Sequence, residues 1–318
     1  MPLHTVEWRR VIAAAATIFI STPALATEQG FVQILINKFN DSDFSFHRSR
    51  TNVPFTPVAF LGTSRYSKAK ATTPDGLDLE YDVNGISQMA GLPILLGKRD
   101  ALIIGEYLSW ADFDLDGADI DSFNVGTVGI PIAWLRQADE DWQLAAFVMP
   151  RANHSSLENS NWTFQTMGGT FARWTQSDHV WWAFGFYFDI APDDNFYIPY
   201  VGASWNINER WTLSAVMPWP AVLYAPTPDW LFRLGMSPSG ASWAINPEGG
   251  DVAVNIDAWD FGLTTSRRVR GNFWVDVEVG VGAFRGLRIS GSDVKDPEID
   301  SGASWFAGME FNYRPAVK

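Results

Sequence analysis

From His179 to Asn208 the chain alternates with a period of two. Val180, Trp182, Phe184, Phe186, Phe188 and Ile190 hold one set of positions, and Trp181, Ala183, Gly185, Tyr187 and Asp189 hold the other. Successive side chains of a strand point to opposite faces, so the first set predicts an unbroken bulky apolar face. The run is too aromatic and β-branched for a helix. Ala191-Pro192-Asp193-Asp194-Asn195 supplies turn residues, and a second alternating run places Tyr197, Val201, Ala203, Trp205 and Ile207 on one side. Together they predict an antiparallel hairpin with one face apolar enough for a bilayer.

The same grammar repeats from Pro54 onward. Alternating runs cover residues 55–67, 77–91, 101–113, 122–135, 142–151, 162–174, 180–190, 196–207, 211–224, 252–264, 273–284 and 301–313. This predicts an all-β fold, an antiparallel up-and-down transmembrane β-barrel of 12 strands. Met217-Pro218-Trp219-Pro220 fits poorly inside a strand, because proline donates no ladder bond. Residues 218–250 are therefore expected to be a strand end and a long external excursion. The alternative is 14 strands, with residues 229–236 and 241–246 forming a further hairpin around Ser237-Pro238-Ser239-Gly240.

Connections give the orientation. Those at 97–100, 137–141, 176–178, 206–210 and 266–272 are short and often basic. Those at 67–76, 114–121, 153–161, 226–250 and 286–300 are longer and acidic or rich in Ser and Asn. Outer-membrane barrels have short periplasmic turns and longer external loops, so both termini are expected in the periplasm.

Composition narrows the setting. Arg9-Arg10, the apolar run 11–20 and Ala24-Leu25-Ala26 have the tripartite form of a signal peptide cleaved after Ala26. Beyond it no run of about 18 apolar residues occurs, which excludes a helical membrane protein. Residues 27–52 read as an N-terminal periplasmic lead-in, with a small lumenal plug as the other reading, and 53–318 as the barrel. The chain has no Cys, so no disulfide holds it. Its 16 Trp and 22 Phe suit the aromatic girdles of a membrane barrel better than a soluble sandwich. A formal net charge of −13 leaves no electrostatic footprint for nucleic acid.

Two resemblances enter here. Ala303, Trp305, Ala307, Met309, Phe311 and Tyr313 resemble the closing strand that bacterial outer-membrane proteins present to the barrel assembly machinery, although Arg314-Pro315-Ala316-Val317-Lys318 follows where that signal normally ends the chain. Trp305, Met309, Phe311 and Tyr313 are the assembly-signal residues this implies. Residues 198–205, Trp211-Thr212-Leu213 and Met217-Pro218-Trp219-Pro220 resemble an uncharacterised family of predicted bacterial outer-membrane β-barrel, porin-like proteins. That resemblance implies a fold and no activity.

Three constellations could carry chemistry. Asp112, Asp114, Asp116, Gly117, Asp119 and Asp121 have a spacing that can wrap oxygen ligands around Ca²⁺. The position of the bidentate Glu of an EF-hand is Phe123, however, and the run reads rather as an acidic external turn; no metal is the expectation. His154 and Ser156 at the external end of a strand resemble the His and Ser of outer-membrane lipid hydrolases, in which His activates Ser. Those enzymes place Asn straight after the Ser, where this chain has Leu157, and no catalytic residue is expected here.

The third set lies opposite the apolar face: Gln165, Arg173, Asp189, Asn255, Asp257, Asp276 and Glu278. On 273–284, Val275, Val277, Val279 and Val281 point one way and Asp276 and Glu278 the other, so these carboxylates are expected to line the lumen. They suit a polar, mildly cation-preferring pore, or internal salt bridges that plug the barrel with Arg173 as one partner. On 101–113 polarity selects no face, because Glu106 shares a side with Leu102, Ile104 and Trp110.

The expected protein is a porin-like channel or binder for small solutes in the bacterial outer membrane, with outer-membrane lipids and the assembly machinery as partners and no cofactor. A lipid hydrolase or deacylase, and a purely structural barrel, are the rival readings.

Overall fold

The computed structural model describes Lys38 and residues 51–72, 78–116, 122–157, 159–191, 195–238, 241–245, 252–289 and 304–314. The expected signal peptide, most of the lead-in, and Asp119 and Asp121 lie outside the described residues.

The chain forms strands Ala59–Thr72 (β1), Asp78–Leu95 (β2), Asp100–Asp116 (β3), Phe123–Gly129 (β4), Ile132–Gln137 (β5), Trp142–Ser155 (β6), Thr163–Thr175 (β7) and Val180–Ile190 (β8). It continues with Asn195–Asn206 (β9), Trp211–Ser214 (β10), Ala221–Thr227 (β11), Trp230–Pro238 (β12), Ala241–Ile245 (β13), Val252–Arg270 (β14), Phe273–Ile289 (β15) and Ser304–Tyr313 (β16). Neighbours pair antiparallel, β1 meets β16, and β12 meets β14, so the sheet closes on itself. Closure pairs backbone groups around the ring, the requirement for strands in hydrocarbon.

Two pairs of segments lie in line. β4 and β5 both run between β3 and β6, interrupted at Ile130-Pro131; the Pro131 carbonyl still accepts from the Gly105 N–H at 2.9 Å. β12 and β13 both pair with β14 in one register, Pro238 opposite Trp259 and Ala241 opposite Ile256. Among the described residues, sixteen segments therefore make fourteen barrel strands.

The expectation of twelve is corrected to the alternative number, though not by the hairpin that alternative invoked. Residues 211–224 are two strands, because the chain turns back at Met217-Pro218-Trp219-Pro220, where the prolines end the ladder. Residues 230–238 and 241–245 lie in line at one position in the wall. They are neither an external excursion nor a hairpin around 237–240, since both halves face the same partner, β14.

Alternation sorts the faces as expected. On β8, Phe184, Phe186 and Ile190 are exposed outside, while Ala183 and Asp189 are buried inside. On β15, Val277 and Val279 lie outside and Trp274 is buried inside. On β3, Ala111 and Phe113 enter an interior cluster, which decides the face that polarity leaves open. Glu106 then falls on the outer side, where its carboxylate accepts a hydrogen bond from the buried Gln88 amide at 2.9 Å.

Short turns gather at one end, with the start of β1 and the end of β16 beside them. One of the two tightest joins β14 to β15 through Gly271, whose φ of 57° lies in the left-handed region that glycine enters without steric cost.

Candidate solute path through the barrel

One side of the interior carries a hydrogen-bonded polar ladder across four strands. Thr127 Oγ1 on β4 donates to Asn153 Oδ1 on β6 at 2.9 Å, and Asn153 Nδ2 donates to Gln165 Oε1 on β7 at 3.1 Å. Gln165 Nε2 donates to Asp189 Oδ1 on β8 at 2.9 Å, and Arg151 Nη2 on β6 meets Asp189 Oδ2 at 2.7 Å. All five lie on interior positions of their strands. Chained amides and a paired charge satisfy each other here, so the ladder is a rigid polar lining.

Gln165 and Asp189 were legible as interior residues. Thr127 and Arg151 lie within the expected strands but were not singled out, and Asn153 was missed because the sequence pattern ends strand 142–151 at Arg151. The strand runs on to Ser155, and alternation carried four residues further finds Asn153.

A second cluster fills the opposite side. The Arg314 guanidinium, just past β16, meets Asp276 on β15 at 2.5 Å and takes Asn312 Oδ1 as an acceptor at 2.9 Å. Asn312 donates to Glu310 at 3.1 Å. The buried Trp274 ring lies beneath both Arg268 and Arg314, each 5.1 Å from its centroid. Burial pulls the Arg314 guanidinium below its ordinary value, and Asp276 and Glu310 pull it back up. Glu278 interacts with Thr264 and Arg233, and Asp260 accepts from the Tyr66 hydroxyl at 2.9 Å.

The partner of Asp276 is thus Arg314. Arg173, the partner expected from sequence, sits on β7 with its guanidinium 4.8 Å over the Trp181 ring. Asn255 and Asp257 lie on β14, opposite Arg288 and Gly286 of β15.

The end of the interior with the long connections is filled by apolar groups. Tyr81, Val83, Ala111, Phe113, Phe123 and Val125 pack together with Trp243 of β13. Phe113 stacks on Phe123 with centroids 4.8 Å apart, and Trp243 meets Phe113 edge-on at 5.3 Å. β13 lies against β6 and β7 as well as its ladder partner β14, so it leans inward over the lumen.

At the short-turn end, the Asn52 N–H donates to the Glu209 carbonyl at 2.7 Å and its side chain to the Ala225 carbonyl at 3.2 Å. Six residues later the Val58 N–H donates to the Tyr313 carbonyl at 3.0 Å. Six residues span at most about 20 Å, too short to follow the rim, so this segment crosses the mouth.

The other sequence candidates stay apart from this path. The His154 ring packs on Trp162 with centroids 5.2 Å apart, and the Ser156 hydroxyl accepts from the Asn124 N–H at 3.0 Å. Asp112, Asp114 and Asp116 stand opposite Asn84, Asp82 and Glu80 on the outer face, with Lys68 bridging Asp116 and Glu80. No group of three or more potential ligands is placed to hold a metal among the described residues. Trp305, Met309 and Phe311 are exposed on the outer face of β16. Tyr313 packs on Phe273 at 5.4 Å and accepts from Asn272 at 3.0 Å.

No protein-family model matches the sequence, and no curated protein matches it. Among solved structures the chain is similar to the CymD monoaromatic hydrocarbon channel, with 9% identity, 82% of this chain and 89% of that chain covered, and a TM-score of 0.43. It is similar to the Pseudomonas putida toluene transporter TodX, with 9% identity, 80% and 88% covered, and a TM-score of 0.38. It is also similar to the KdgM porin, with 8% identity, 80% and 99% covered, and a TM-score of 0.32.

Proposed function

We propose that the chain is a channel for small solutes in the bacterial outer membrane. The observation that carries this reading is the contrast between its two faces. Phe184, Phe186, Val277, Val279 and Phe311 are exposed outside, whereas Thr127, Asn153, Gln165 and Asp189 form a polar ladder inside. A soluble barrel has the reverse need, so the outward apolar belt supports insertion in a bilayer. On this reading the N-terminal segment directs export and is cleaved after Ala26, lipids surround the belt, and the assembly machinery takes up β16 through Phe311 and Tyr313.

A second reading, a sealed structural barrel, is favoured by the Trp243 cluster at one end and the Arg314–Asp276 pair within. Purified protein in planar bilayers separates the two. Discrete conductance steps are expected of the channel, and a silent bilayer with correctly folded protein would establish the sealed barrel.

A further inference from the structure

The hairpin of β10 and β11 climbs only part of the wall. Its first arm starts at Trp211, still bridges Val201 at Met217, and turns at Pro218-Trp219-Pro220 into β11. Its neighbours go further: β9 runs on to Asn195 and β12 to Pro238. Above the tip, among the described residues, these two strands are paired on one side only, with β8 and β14. At about 3.3 Å per residue and a tilt near 40°, Met217 stands about 15 Å above Trp211, against an apolar band of about 25 Å. The wall therefore has a gap within the depth of the bilayer.

The edges of this gap are built to face hydrocarbon. Backbone groups of alternate β9 residues point toward it: Ala203 accepts from Ala215 at 2.8 Å and Val201 from Met217 at 3.2 Å, so the next is Pro199. On β12 the Met236 N–H donates to the Pro220 carbonyl at 3.0 Å, so the next is Pro238. The tip itself holds Pro218 and Pro220. At Pro199 and Pro238 proline removes an N–H that lipid would leave unsatisfied, and Pro220 stands opposite Met236 in the ladder.

The chemistry of the lips agrees. Residues 195–201, 214–222 and 234–238 contain no Asp, Glu, Lys or Arg, and the adjoining Arg233, on the interior side of β12, turns its guanidinium to the Met236 carbonyl at 3.3 Å. Inside, the Tyr200 ring lies over Gly185, where a Cβ would stand 2.2 Å from it, and its hydroxyl already donates to the Thr170 carbonyl at 2.7 Å. Trp219 from the hairpin tip meets Tyr200 at 70° with centroids 5.7 Å apart. The gap thus has an aromatic floor with its polar atom satisfied, while β13 and Trp243 obstruct the axial exit beyond it.

We propose that the gap between β9 and β12 is a lateral portal, through which small uncharged apolar solutes pass between the lumen and the outer leaflet. This rests on the channel reading and adds to it the class of solute and the direction of exit.

The chain has no cysteine, so a single introduced thiol is a unique handle. Met217→Cys, or Trp219→Cys should the first fail to fold, is modified with a bulky maleimide; Val277→Cys on β15 is the control. Uptake of N-phenyl-1-naphthylamine is followed in Gram-negative cells and conductance in planar bilayers. The adduct at the hairpin tip is expected to slow protein-dependent uptake about tenfold, with conductance kept and no effect at Val277. Equal uptake with both adducts, conductance persisting, would overturn the portal and leave the channel standing. Absence of conductance and of uptake in the unmodified protein would overturn both.

Discussion

Trp243 of β13 meets Phe113 of β3 edge to face inside the barrel, with ring centroids 5.3 Å apart at 90°. The two strands lie on opposite sides of the ring, so the contact exists only because β13 leans inward. It sets Trp243 across the lumen at the end with the long connections.

Trp243→Ala is therefore expected to raise single-channel conductance, by about twofold if the cluster is the narrowest point. Loss of a packed Trp typically costs about 3–5 kcal/mol, so the variant should also unfold at lower urea. Unchanged conductance in a folded variant would place the constriction elsewhere.

The Arg314–Asp276 pair makes a prediction about stability. Arg314→Gln leaves a buried carboxylate without its cation, a loss of about 3–5 kcal/mol in comparable buried pairs. Arg314→Gln combined with Asp276→Asn should recover part of that loss, because both charges are gone. Unfolding in lipid vesicles would measure the cycle; strictly additive losses would show that the two do not act as a pair.

Selectivity should follow the Arg151–Asp189 pair. Replacing Asp189 by Asn removes a negative charge from beside Arg151 on the interior face. Reversal potentials in a salt gradient should then shift toward anions. Asp276→Asn should act in the same direction by uncovering Arg314. A shift toward cations in either variant would contradict this charge arrangement.

His154 and Ser156 are expected to do no hydrolytic chemistry. The Ser156 oxygen is engaged with the Asn124 N–H, and the imidazole lies against Trp162. A general base must reach the hydroxyl within about 2.6–3.2 Å. His154→Ala should leave folding and conductance unchanged. Ester cleavage by the purified protein that disappears in His154→Ala or Ser156→Ala would restore the hydrolase reading.

The closing strand can be tested by charge. Phe311 pairs with Leu61 of β1 and Val275 of β15, and Tyr313 with Ala59 and Phe273. Aspartate at both positions puts carboxylates on the outer face at the seam where the barrel closes. The double variant should fail to accumulate as the faster-migrating unboiled form on detergent gels. Normal accumulation would show that these aromatics are dispensable for assembly.

Sequence alone determined which way most side chains face. Val180 to Ile190 sorts inside from outside because alternation is a local property of the extended chain, independent of what lies beside it. Turn chemistry separated the strands and marked one end by its short turns for the same local reason. The failures are non-local. Pro218 and Pro220 visibly interrupt a strand, but whether the chain turns back into the wall or leaves it depends on partners that follow, β12 and β14. Arg314 looked like a tail beyond the final aromatic, and only closure of the barrel carries it to Asp276, 38 residues earlier. Face was likewise undecided on β3, where apolar and charged residues share a side, until Phe113 found Phe123 and Trp243. Alternation assigns each residue a face; the tertiary structure decides which strands share a face and where the wall stops.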